Sequence, residues 1–176
     1  MEFKVKQLLF SFFLMLSLLS TAYAAENTTL YVNLKEGIQL EYLPGWEVKD
    51  GVGGSVAMFV SPKLSSYDFR ETVILAAEKL PEPAPSPEKY LFSKIEDLKA
   101  SKNFKIYESK PVTLAKLPAY KIVYTATQEK STFKAMQVCV FKDGRAYLFT
   151  YAAGLDGYNK FLLGADKIIQ SFEFTK

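Results

Sequence analysis

Residues 120–152 read YKIVYTATQEKSTFKAMQVCVFKDGRAYLFTYA, and this stretch decides the fold. Three runs rich in Val, Ile, Tyr, Phe and Thr, at about Tyr120–Thr127, Phe133–Phe141 and Ala146–Ala152, have the composition of strands. Between the last two lies Asp143-Gly144, a pair that accepts the positive φ of a two-residue turn and so marks a β-hairpin. A fourth run at about Lys105–Thr113 precedes them. Strands joined by such short connections pair antiparallel.

Working outward, Ile38, Leu40 and Tyr42 alternate with Gln39 and Glu41, the period of a half-buried strand, which Pro44-Gly45 then breaks. Val56 to Val60 reads as another strand, closed by Ser61-Pro62, and the β-branched Thr72, Val73 and Ile74 open one more. Pro81, Pro83, Pro85 and Pro87 alternate through a stiff, extended connector. At its end Ser86 can cap a helix, with Pro87 at the first helical position and Glu88 against the positive end of the dipole. Leu91, Ile95 and Leu98 form its apolar stripe, and Asn103 is a plausible stop. A second helix has Asp156 as its expected cap and Tyr158, Phe161, Leu162, Ala165, Ile168, Ile169 and Phe172 as its apolar face. Each amphipathic helix needs an apolar sheet face to cover, so the expected class is α+β: one domain, a mainly antiparallel sheet packed by helices.

The amino-terminal residues read as a secretory signal. Lys4 and Lys6 lead an apolar run from Leu8 to Leu19, and Ala22 and Ala24 supply the small residues of a cleavage site. The expected organisation is a cleaved signal at 1–24, a flexible polar segment at 25–32 and a folded domain at 33–176. With Lys4, Lys6 and Glu2 removed the net charge falls from +3 to +2. The lysines are scattered among acids, without the concentrated basic face that nucleic-acid binding requires. Cys139 is the only cysteine, so no lipid-modified cysteine follows the cleavage site and no intrachain disulfide forms. The expectation is an exported protein, soluble or peripherally attached, that is not a lipoprotein and has no transmembrane helix after cleavage.

The chain has no histidine, which removes Ser-His and Cys-His nucleophile pairs, imidazole bases and histidine zinc sites. Gly51-Val52-Gly53-Gly54 lacks the Lys-Ser/Thr of a phosphate loop and is followed by a strand, so it reads as a hairpin turn. Cys139, between Val138 and Val140, reads as a buried, inert thiol. The oxygen ligands a cation would need are Asp68 with Glu71, Glu96 with Asp97, and Asp143; each reads as a solvated surface group, and no metal-ligand set is assigned. Asp68 and Glu71 are also the carboxylates a hydrolase would use, but no second catalytic group is placed near them. Trp46 reads as a core plug, and Tyr120, Tyr124, Tyr147 and Tyr151, spaced four apart along two strands, as cover beneath a helix. No catalytic or cofactor-binding residue emerges. The candidate contact residues are those of the Gly51–Gly54 and Lys142–Arg145 loops, chosen because loops carry binding functions.

Taken in order, these features resemble the PsbP-like family. The resemblance rests on Ile38-Gln39-Leu40-Glu41-Tyr42-Leu43-Pro44-Gly45-Trp46, Ser61-Pro62, Ser86-Pro87-Glu88, Leu117-Pro118-Ala119-Tyr120-Lys121-Ile122-Val123-Tyr124, Lys142-Asp143-Gly144-Arg145-Ala146-Tyr147, Tyr158 and Ile168-Ile169-Gln170-Ser171-Phe172. It spans about Asn33 to Phe174 and implies an αβα sandwich with no enzymatic activity. It also implies a partner in an extracytoplasmic membrane complex, of which the lumenal side of photosystem II is the leading instance, in a periplasm or a thylakoid lumen. Calcium enters through the resemblance alone. The same resemblance leaves open an envelope adapter of the DcrB type in a non-photosynthetic bacterium.

Overall fold

The computed structural model describes residues 27–63 and 70–175. The expected signal at 1–24 and Asp68 lie outside the described residues. Seven strands form one antiparallel sheet in the order β3-β4-β5-β9-β8-β7-β6: β3 (Glu47–Asp50), β4 (Ala57–Val60), β5 (Thr72–Lys79), β6 (Lys105–Leu114), β7 (Leu117–Gln128), β8 (Ser131–Lys142) and β9 (Arg145–Gly154). The quoted stretch supplies its centre, with β8 registered against β7 from Ser131 to Val140 and against β9 from Phe133 to Lys142. Asp143 and Gly144 both take positive φ at the β8–β9 turn, as the hairpin reading requires.

A second, three-stranded sheet has the order β1-β2-β10, from β1 (Thr29–Asn33), β2 (Ile38–Tyr42) and β10 (Glu173–Phe174). β1 begins inside the segment 25–32 that the sequence marks as flexible. Its alternation is inverted: Leu30 and Val32 face solvent, while Tyr31 packs edge-on against Phe59. The helices are α1 (Pro87–Lys94) and α2 (Tyr158–Gln170).

Pleating sends successive side chains to opposite faces. On one face, Val73, Leu75, Val138, Tyr147, Phe149 and Tyr151 join Ile38 and Leu40 of β2 and Ala165, Ile168 and Ile169 of α2 in one buried core. On the other, Leu91 and Ile95 of the α1 segment pack on Ile122, Tyr124, Cys139 and Leu148. Of the expected sandwich, the central antiparallel sheet and both helices are present, and the molecule is dominated by its strands. Its covering layers are uneven, because α2 shares its layer with the small sheet and α1 has only two turns.

Both helix ends depart from the sequence reading. Ser86 does cap α1, accepting from the Lys89 amide at 3.2 Å, but the α-helix stops at Lys94 and Leu98 belongs to a separate 3₁₀ turn, well before Asn103. Asp156 is not the cap of α2; Gly157 holds that position without a side-chain bond. Phe172 lies past the end of α2, packed edge-to-face with Phe149 and Phe174.

Candidate partner-binding surface

Because neighbouring strands run antiparallel, the β3–β4, β6–β7 and β8–β9 connections all leave from one end of the large sheet, together with the end of β5. The Leu80 amide donates to the Gly144 carbonyl at 2.9 Å, tying the β5 exit to the β8–β9 turn. The β1–β2 turn comes to the same end. Arg145 pairs with Glu36 at 2.7 Å, the Glu36 amide donates to Asn33 Oδ1 at 3.0 Å, and the Thr175 amide donates to the Gly37 carbonyl at 2.9 Å. The two loops chosen from sequence, Gly51–Gly54 and Lys142–Arg145, therefore share one end of the fold.

What the sequence reading missed there is Leu34. It is 86% exposed, the most exposed of the large apolar residues described, and it sits on the turn that these three contacts pin. The signal in the sequence is a leucine inside a polar turn, Asn33-Leu34-Lys35-Glu36-Gly37. Val52 is another exposed apolar side chain at this end, on the loop where Gly51, Gly53 and Gly54 all have positive φ. The cations here are Lys35, Lys79, Lys116, Lys142 and Arg145; Lys142 is bonded to Asp143 at 2.6 Å and leans over the Phe174 ring. A groove of about 560 Å³ lies between the β6–β7 turn and β10, with Leu117, Phe174, Lys116 and Lys142 among its walls. Ala115 and Lys116, neither a glycine, both hold positive φ in that turn.

The remaining sequence candidates are dispersed. Glu71 is not a solvated surface carboxylate: it is 4% exposed, accepts from the Ser61 hydroxyl at 2.9 Å and lies against Gly157. Glu96 pairs with Lys99 on the exposed 3₁₀ turn, and Asp143 is held only by Lys142. Among the described residues no three His, Cys, Asp or Glu side chains come together in a metal-binding group. Cys139 is fully buried, and burial, with a smaller contribution from Glu78, pushes its thiol up to about 12. Trp46 is buried and meets Phe161 edge-on at 6.1 Å. The tyrosines separate by strand: Tyr120 and Tyr124 face the α1 side, Tyr147 and Tyr151 the α2 side, where the Tyr151 hydroxyl donates to the Tyr158 carbonyl at 2.7 Å. No helix among the described residues is long and apolar enough to cross a membrane.

A family model described as PsbP-like protein matches residues 20–174. The chain is similar in structure to cyanobacterial PsbP (CyanoP) from Synechocystis sp. PCC 6803, at 13% identity, TM-score 0.61, 87% of this chain and 95% of that one. It is equally similar to LpqN of Mycobacterium tuberculosis, described as involved in cell envelope biogenesis, at 14% identity, TM-score 0.61, and 87% and 88% coverage. The Saccharomyces cerevisiae Ran-binding protein Mog1p shares the fold at 8% identity, TM-score 0.56, and 86% and 97% coverage. No curated protein matches by sequence. Identities this low carry the fold and not the job.

Proposed function

Since the chain belongs to the PsbP-like family, we propose that it is an exported, non-catalytic protein that binds and stabilises an extracytoplasmic membrane complex, the lumenal side of photosystem II being the leading candidate. Members of the family are generally non-enzymatic. The observation that carries the reading is the end of the fold built around Leu34. Its turn is pinned by an ion pair, a bond from the Glu36 amide to the Asn33 side chain and one backbone–backbone bond, and an apolar side chain presented to water on such a turn is the kind of anchor a protein interface uses. Lys35 next to it, with Lys79 and Lys116 at the same end of the sheet, would steer an acidic partner, and that contribution weakens as salt screens it.

The second reading is an envelope adapter, favoured by the equal likeness to LpqN and the envelope role that protein is described as having. One experiment separates the two. Tagged full-length protein is recovered from its native membranes at low and at high salt, as wild type and as Leu34→Ser, and its companions are read by mass spectrometry. Photosystem II subunits held at low salt, released at high salt and lost in Leu34→Ser support the first reading. Envelope proteins with the same dependence support the second. Recovery that ignores both salt and Leu34 refutes docking through this end.

A further inference from the structure

At the opposite end of the large sheet, two lysines converge with no acid between them. Lys105 on β6, Thr125 on β7 and Lys134 on β8 occupy one row, because Thr125 is registered with both lysines. The β6 register shifts between Ile106 and Glu108, and the residue at this bulge is Tyr107, 55% exposed. The Lys105 and Lys134 ammoniums each lie 5.0 Å from the centre of the Tyr107 ring, so they are no more than about 10 Å apart, one Debye length at ordinary salt. Lys134 also lies 4.4 Å over the ring of Tyr158. The carboxylate nearest in sequence, Glu108, is taken by Lys110 at 2.5 Å and Lys121 at 3.2 Å. Neither Lys105 nor Lys134 has a carboxylate within ion-pair distance among the described residues.

The Tyr107 ring holds these cations instead of letting them spread into solvent, and Lys105 is also part of the wall of a pocket. That pocket, about 400 Å³, has Asn103, Phe104, Tyr107, Thr125, Thr132 and Leu155 as its other walls, and Lys134 lies on the same strand two residues beyond Thr132. Its amide and threonine hydroxyl groups are already engaged: Asn103 Nδ2 donates to Thr127 Oγ1 at 2.9 Å, the Thr125 hydroxyl donates to the Asn103 carbonyl at 2.9 Å, and the Thr132 and Thr127 hydroxyls are 2.9 Å apart. The donors left to a ligand are the Lys105 ammonium and the Tyr107 hydroxyl in the pocket, with the Lys134 ammonium beyond the ring. The volume exceeds that of a bare ion and falls in the range of organic-ligand pockets, and Phe104 and the half-exposed Leu155 give it an apolar wall.

We propose that this pocket binds a phosphate ester, its phosphoryl oxygens on the Lys105 ammonium and in the field of Lys134, its organic part against Leu155 and Phe104. An oxyanion there gains a charge-assisted bond from Lys105 and the attraction of a second cation no more than about 10 Å from the first, and lysine serves phosphate as a point charge. Phosphate esters reach such a site as free metabolites or as lipid headgroups, and the test separates these sources. The ¹⁵N-labelled protein is titrated at low salt with inorganic phosphate, with glycerol 3-phosphate, and with phosphatidylcholine vesicles with and without phosphatidylglycerol. Amide shifts are followed at Thr125, Thr132 and Lys134, and vesicle binding by sedimentation. Saturable shifts with glycerol 3-phosphate, weakened about tenfold or more in Lys105→Gln, weakened also in Lys134→Gln, retained in Lys134→Arg and unchanged in Lys89→Gln, establish the site for a free ester. The same pattern with phosphatidylglycerol vesicles alone establishes it for a headgroup. No saturable response to any probe, or equal weakening by Lys89→Gln on α1, overturns the proposal.

Discussion

Gly157 and Glu71 offer the sharpest test of how this core is assembled. Gly157 has φ −86 and ψ −24, a conformation that alanine adopts without strain. On backbone grounds Gly157→Ala should therefore stabilise the fold by about 0.4–1 kcal/mol, by narrowing the unfolded ensemble. The added methyl, however, would lie 2.3 Å from Glu71 Oε1 and 3.4 Å from its carboxyl carbon. Glu71 has little room to yield, being buried and bonded to the Ser61 hydroxyl, itself fully buried. Overpacking of this kind costs about 1–3 kcal/mol, so the net expectation is destabilisation by about 1–2 kcal/mol. For a domain of this size that lowers Tm by about 2–8 °C. Glu71→Ala alone strands the Ser61 hydroxyl and should cost about 1–3 kcal/mol. In that background the obstacle is gone and Gly157→Ala should change sign, stabilising by its backbone contribution. A double-mutant cycle by guanidinium unfolding measures the coupling, expected at about 2 kcal/mol. If Gly157→Ala costs the same in both backgrounds, or costs nothing in the wild type, the packing of Glu71 against the start of α2 is not what the structure shows.

Two pH dependences follow from groups elsewhere in the fold. The Cys139 thiol, pushed up to about 12 chiefly by burial, keeps its proton in the folded state where an unfolded thiol loses it, near pH 8.5–9. Stability should therefore fall as pH rises from about 9 toward 12, less steeply in Cys139→Ala, and a thiol reagent at pH 8 should react only after denaturant is added. Buried Tyr124 and Tyr158, also raised to about 12 by desolvation, add to the same alkaline loss. Glu78 has the opposite sign: the Lys94 ammonium bonded to it, helped by the Tyr90 hydroxyl against the opposing effect of burial, lowers its carboxyl. Its contribution is present above the ordinary carboxylate pKa and lost as pH falls through the lowered folded value. Glu78→Gln should flatten the acid limb of the unfolding midpoint below about pH 5, and an unchanged limb would assign no such role to the pair.

The parts of the fold legible in the sequence are those whose signal is local. β7, β8, β9 and the face of α2 declare themselves through runs and periods that each segment carries alone. β3 is only Glu47-Val48-Lys49-Asp50, polar because it is an edge, and it exists through its pairing with β4. β10 is two residues long and is a strand only because Gln39 and Ile38 lie beside it. The missing cap on α2 was equally hidden: Asp156 is the right residue type one position too early, and Gly157 holds the cap position with Glu71, distant in sequence, packed against it. The candidate surfaces were less legible still, since Glu36 meets Arg145, and Lys105 and Lys134 both reach the Tyr107 ring, only after strands distant in sequence come into register. Loop composition pointed to one end of the molecule. It did not single out Leu34, whose exposure depends on the turn that holds it.

The edges of the large sheet bear on which surface meets a partner. β6 would expose ten residues of unpaired backbone, but Pro111 removes a donor, the shift at Tyr107 bends the strand, and Lys105 and Lys110 place charge along it. β3 at the other edge is four residues long and mostly charged. These are the features by which native sheets resist strand addition. A partner that docks by extending the large sheet is therefore opposed at both of its ends, and the one edge with apolar outward side chains, β1, is five residues of the small sheet. Under the proposed docking, recognition would fall to side chains: Leu34 on its turn at one end, and Tyr107 with Lys105 and Lys134 on β6 and β8 at the other. It follows that proline substitutions along β6 should leave docking intact in a protein that still folds, while Leu34→Ser should abolish it without changing stability.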